Sequence, residues 1–239
     1  MIAILAFLAV IALLALWWIS RQGLMAKPWL ETDSVATLAG PGDPKLPAAQ
    51  IGLGIFMAVV GALFALLVSA YVLRAQLGDW RGFPLPGIVW ANTLPLLAAS
   101  LALEWARAGA RRGDMARAQA GVIGGAGAAA VFIAGQLWAW SILVSNGYAI
   151  TSGPAGSFFY LMTAAHGVHV IGGIVALARP ITKIRRRDEI AAIRLSIDLA
   201  ATYWLFMLLV WVVLLLVLSG WAAAFLALCG QIIAGSGVR

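Results

Sequence analysis

The sequence predicts an all-α protein, a polytopic transmembrane helical bundle of about six spans. Hydrophobic residues make up 63% of the 239 positions and charged residues only 10%, a balance far from that of soluble globular domains. Six apolar runs are each long enough to cross a bilayer as a helix. The charges fall mainly between those runs.

A hydrocarbon core about 30 Å thick takes about 20 helical residues, because backbone polar groups inside it must be satisfied within the segment. The first element lies in residues 1–20, with its apolar run from Ile2 to Ile19. It has no basic leading region and its apolar stretch exceeds that of a secretory signal, so it reads as a retained helix rather than a cleaved one. Residues 21–50 read as a linker, since Gly40, Pro41, Gly42, Pro44 and Pro47 are helix breakers. The bundle proper occupies residues 51–221. Its spans run from Ile51 to Leu73, Pro86 to Trp105, Gln119 to Leu143, Ser157 to Ala178 and Leu199 to Trp221. In the tail, 222–239, the apolar stretch from Ala222 to Ala234 is too short to cross alone; it extends the last helix or lies at the interface.

Sixteen Lys and Arg against nine Asp and Glu give a net charge of +7. The basic residues sit between apolar runs instead of forming one face, which speaks for membrane orientation and not for nucleic acid. Arg21, Lys27 and Lys45 lie in one loop, Arg107, Arg111, Arg112 and Arg117 in a second, and Arg179 to Arg194 in a third. The alternate loops hold only Arg74 and Arg81. The three basic loops are therefore expected on the cytoplasmic side and both termini on the periplasmic side of a bacterial inner membrane. The stretch Lys183 to Arg187 could also dock anionic lipid head groups, although the topological reading suffices for it.

Cys229 is the only cysteine, which excludes an intramolecular disulfide, a CxxC pair and a cysteine-based metal site. Gly121, Gly125 and Ala129 recur at helical spacing and predict close helix packing. Trp17, Trp18, Trp80, Trp90, Trp105, Trp204 and Trp221 lie near predicted span ends and read as an aromatic belt. The acids fall at span ends or in loops, so none is available to an intramembrane proton relay. His166 and His169 lie one turn apart on nearly one face of the fifth span. Such a pair could bind a metal or haem iron, but nothing in the sequence completes a coordination sphere, and interhelical hydrogen bonding is the preferred reading. Gly167 between them is expected to admit a neighbouring helix. No residue is assigned to catalysis, cofactor binding or metal binding.

Several motifs carry a resemblance. Gly156-Ser157-Phe158-Phe159-Tyr160 precedes His166-Gly167-Val168-His169-Val170, with Gly172 and Gly173 following. Asn92-Thr93 precedes Leu96-Leu97, Ser100 and Trp105-Ala106; Gln136 stands in the next span; Tyr203-Trp204, Phe206 and Trp211 stand in the last. Over about residues 50–221 this order resembles subunit III of the haem-copper terminal oxidases, in a divergent branch. The sequence departs from that family where Val60, Ala139 and Leu208 replace its carboxylates and Leu205 its histidine.

The resemblance implies a five-helix subunit III-like core with an added N-terminal helix. It implies a cofactor-free accessory subunit of a proton-pumping cytochrome c oxidase in aerobic respiratory electron transport, one that stabilises subunit I and binds lipid. Haem and copper are then expected in the partner subunits I and II, phospholipids along the chain, and cytochrome c as electron donor to the complex. Asn92-Thr93 points to the cytochrome c type; a component of a nitric oxide reductase or quinol oxidase is the alternative within the resemblance. An independent transporter using His166 and His169, or a cytochrome ligating haem through them, are the alternatives outside it.

Overall fold

The computed structural model describes residues 48–77, 80, 85–188 and 190–220. The predicted N-terminal helix, nearly all of the linker, the tail, Cys229 and the tryptophans at 17, 18 and 221 lie outside the described residues. The helices are α1 (Ala48–Arg74), α2 (Gly87–Ala91), α3 (Thr93–Arg112), α4 (Met115–Ser145), α5 (Pro154–Ala176), α6 (Ala178–Arg186) and α7 (Ile190–Leu218). No strand occurs among the described residues. Five stretches are long and apolar enough to cross a membrane: Ala48–Arg74, Gly87–Arg112, Met115–Ser145, Pro154–Arg186 and Ile190–Leu218. The chain is an all-α polytopic membrane protein. It divides into two units, Met1–Val60 and Gly61–Arg239, and the helices α2 to α7 lie wholly in the second.

Two of the five spanning stretches are interrupted, and proline accounts for both. Pro95 has no N–H for the carbonyl of Ala91, and Pro180 has none for that of Ala176. Those alanines are the last residues of α2 and α5, and the helix resumes one residue later. Pro154, by contrast, stands at the start of α5, where a missing N–H costs nothing.

Helices also continue beyond the predicted spans. α4 begins at Met115 and α7 at Ile190, so the expected loops at 106–118 and 179–197 are largely helical. Hydropathy marks what lies in hydrocarbon, whereas Ala-, Met- and Arg-rich flanks propagate a helix into water. Only Gly113 and Asp114 separate α3 from α4. Gly113 adopts φ +79° at the end of α3, a left-handed conformation suited to glycine. Asp114 then caps α4, its Oδ1 accepting from the backbone N–H of Arg117 at 2.9 Å.

The α3–α4 hairpin is pressed tightly together. A Cβ on Gly121 would lie 2.7 Å from both the Ala102 carbonyl oxygen and Ala106 Cβ, and one on Gly125 2.9 Å from Leu103 Cγ. Ala129, on the same stripe, is fully buried. α7 packs against α3, α5 and α6 and buries Ile197, Trp204, Met207, Trp211 and Leu214. Trp204 is thus a core residue, not a belt residue: its position near a predicted span end was misleading because α7 starts earlier than its apolar run. Trp90 and Trp105 do lie about half exposed, as a belt position requires.

Candidate functional site

Several of the motif residues meet in a polar layer inside this bundle. The interruption before Pro95 sets Asn92 between α2 and α3 with its side chain turned inward. Its Nδ2 donates to the Phe132 carbonyl at 3.0 Å and reaches Gln136 Oε1 at 3.5 Å, both on α4. Gly135 makes room, since a Cβ there would overlap Asn92 Oδ1. Next to Asn92, Thr93 Oγ1 accepts from Trp211 Nε1 at 3.1 Å. Ser100 Oγ lies 3.1 Å from the Leu96 carbonyl of its own helix and 3.4 Å from that of Trp204 on α7.

His166 is fully buried and donates through Nε2 to the Met207 carbonyl on α7 at 3.1 Å. Its ring lies 5.1 Å from that of Trp211 and 5.6 Å from that of Phe132. An imidazole bonded across helices is what the sequence led us to prefer for this residue. His169 behaves differently. Its Nδ1 bonds back to the Ala165 carbonyl on its own helix at 2.7 Å, and its ring packs 5.6 Å from Phe64. The interhelical bond at this position comes from its backbone, whose carbonyl accepts from Tyr203 O–H at 2.8 Å.

The glycine expectation shifts by several residues. A Cβ on Gly167 would make only ordinary contact with Ile133 at 3.8 Å, and Gly172 faces open space. Gly173 is the position under pressure: a Cβ there would lie 2.8 Å from Tyr203 Cε1. Sequence alone could not separate these glycines, because the choice depends on where the Tyr203 ring falls.

The remaining motif residues lie elsewhere. Phe158 packs edge-on against Tyr71 at 5.8 Å, and Phe159 is fully buried. Trp105 is covered on one face by the Arg117 guanidinium at 5.2 Å. Near that end of α3 lies an ionic cluster not foreseen in the sequence. Asp198 Oδ1 accepts from Arg107 Nε at 2.6 Å and Arg111 Nη2 at 3.5 Å, while Arg107 also meets Glu104 at 3.2 Å. Arg194 donates to the carbonyls of Ala110 and Arg111 at 2.9 and 3.2 Å, adding a side-chain donor at a helix end where intrahelical partners run out. No local sequence signal pairs these residues, since Arg107 and Arg111 stand on α3 and Asp198 and Arg194 on α7.

Chemically, this arrangement fixes four spanning segments in register. No group of three or more His, Cys, Asp or Glu able to hold a metal occurs among the described residues. Each imidazole has one nitrogen engaged by a carbonyl. Ala139 is fully buried and Leu205 faces outward, so the polar residues replaced there would have stood in unlike surroundings.

The family model for cytochrome c oxidase subunit III matches residues 51–223. A cytochrome c oxidase subunit 3 from Synechocystis sp. is 28% identical over 182 residues, covering 72% of this chain and 75% of that protein. One from Thermostichus vulcanus is 28% identical over 169 residues, covering 69% and 83%. A protein of Mycobacterium tuberculosis described as "Probable cytochrome c oxidase subunit 3" is 31% identical over 160 residues, covering 65% and 77%.

Proposed function

The chain belongs to the cytochrome c oxidase subunit III family, and on that premise we propose that it is the cofactor-free accessory subunit of a proton-pumping cytochrome c oxidase. Family membership implies assembly with other oxidase subunits. In this reading the partners are subunits I and II, which carry haem and copper and receive electrons from cytochrome c. The chain stabilises subunit I and holds phospholipid along its apolar flanks. Asn92, Thr93, Gln136, His166, Tyr203, Trp204 and Trp211 act as packing residues that keep the docking surface rigid.

The observation that carries this reading is the family match across residues 51–223, which includes every described spanning segment except the first three residues of α1. The outward side chains support it. Leu101, Leu205, Leu209 and Val168 are all more than half exposed, as befits a surface solvated by lipid or by another membrane subunit. Arg107, Arg111, Asp198 and Arg194 gather at one end of the bundle. That end is the cytoplasmic one in the proposed bacterial inner-membrane topology, with both termini periplasmic.

Gentle solubilisation followed by mass spectrometry of the intact complex tests assembly: co-migration with a haem-copper subunit I is the expected result. Deleting the chain should leave the haem spectrum of the remaining complex intact and make turnover decay faster. A solitary chain in the bilayer, or a haem spectrum that disappears with it, would refute the proposal.

A further inference from the structure

Two buried polar atoms on neighbouring helices have no hydrogen-bond partner among the described residues: Nε2 of Gln136 on α4 and Nδ1 of His166 on α5. Gln136 is 4% exposed and His166 0%. The hydrogen-bonding sense of each atom follows from its surroundings. A carbonyl only accepts, so the His166 nitrogen facing the Met207 oxygen at 3.1 Å carries the proton. Nδ1 therefore presents a lone pair. Turning the ring over would place a carbon against Met207 and forfeit that bond.

Gln136 is fixed by a longer chain of the same logic. The Phe132 carbonyl also only accepts, which requires the amide NH₂ of Asn92 to face it at 3.0 Å. That NH₂ group approaches Gln136 at 3.5 Å, so Gln136 must present oxygen there. Its own NH₂ then points away as a donor. Phe132 links their neighbourhoods: its carbonyl holds Asn92, which approaches Gln136, and its ring lies 5.6 Å from that of His166.

An unpaired polar group in apolar surroundings costs about 1–3 kcal/mol, and a hydrocarbon exterior supplies no solvent to relieve it. One orphan is a donor and the other an acceptor. A cation is repelled by the amide N–H and finds no carboxylate to balance it. A simple anion cannot donate to Nδ1, and an apolar gas can do neither task. Water can do both.

We infer that the interior between α4 and α5 is a binding site for ordered water, which accepts from Gln136 Nε2 and donates to His166 Nδ1. This gives the chain a hydrated polar layer inside the membrane, built from its own residues and independent of any partner's metals.

The test uses the unaltered full chain, ¹⁵N-labelled and reconstituted in phospholipid bilayers. Water-edited solid-state NMR reads magnetisation transfer from water to assigned side-chain nitrogens, with Gln136→Met and His166→Phe serving only for assignment. Transfer to the Gln136 amide and the His166 ring should be several-fold faster than to the Trp211 indole, whose N–H is already bonded to Thr93. Equal, slow transfer at all three sites overturns the inference. A density map at water-resolving quality gives an independent reading. A peak within hydrogen-bond distance of both named atoms, singly or through a short chain, supports the site. Direct bonding of those atoms to each other or to other protein groups refutes it, whatever complex the chain is found in.

Discussion

Replacing either of two glycines three residues apart on α4 by alanine should have opposite effects on stability. At Gly121 the added methyl carbon would sit 2.7 Å from the Ala102 carbonyl oxygen, 2.7 Å from Ala106 Cβ and 2.9 Å from Ala106 N. Two of those three atoms are backbone and the third is attached directly to it, so no side chain can swing aside. Carbon atoms in comfortable contact lie about 3.5–4.0 Å apart, which requires α3 and α4 to separate by roughly 1 Å. Overpacking of this kind costs about 1–3 kcal/mol. The neighbouring Gly124 has no atom within 4 Å of the same hypothetical carbon. There the substitution changes only helix propensity, an effect of up to about 1 kcal/mol in favour of alanine. Purified Gly121→Ala and Gly124→Ala chains in mild detergent would be unfolded by SDS titration and followed by circular dichroism. The midpoint should fall for the first and hold or rise for the second. Equal midpoints would refute the claim that backbone proximity, and not glycine content, sets the packing of this hairpin.

Thr93→Val removes the acceptor of the Trp211 indole N–H within a partly buried contact, and the same titration should show a loss of about 1–3 kcal/mol. Trp211→Phe in that background should recover part of it, because the stranded donor goes as well. Asp198→Asn removes the charge shared by Arg107 and Arg111, but Asp198 is 29% exposed and Arg111 61% exposed. The loss should therefore be at most about 1 kcal/mol and shrink as salt is added; a salt-independent loss would point to packing instead.

Much of the fold was legible because a bilayer demands it: apolar length and the placement of charge were enough to locate the spans from α1 to α7. The site was legible in part. His166 stood out by its spacing from His169, whereas Asn92, Gln136 and Trp211 could be named only through the family resemblance; their meeting in one layer depends on helix rotation and depth, which one-dimensional spacing does not carry. His169 was misread for that reason, since its ring turns back to Ala165 while only its carbonyl reaches Tyr203. Trp204 was misplaced for a different one. Hydropathy starts a span at the first sustained apolar run, whereas α7 begins at Ile190 and carries Trp204 deep into its interior. The ionic contacts of Asp198 escaped because both arginines belong to another helix, with nothing local in the sequence to pair them.

The two proline interruptions have a consequence for how the chain meets its surroundings. A helix steered by its neighbours can straighten when those neighbours change, but a ring that lacks a donor and crowds the preceding turn is covalent. The breaks after Ala91 and Ala176 are thus written into the polypeptide before any lipid or companion subunit arrives. Asn92 is offered to Phe132, and the arginines of α6 follow a break from α5, as properties of the newly made chain. Assembly then has a pre-shaped part to receive instead of one that must be bent into place.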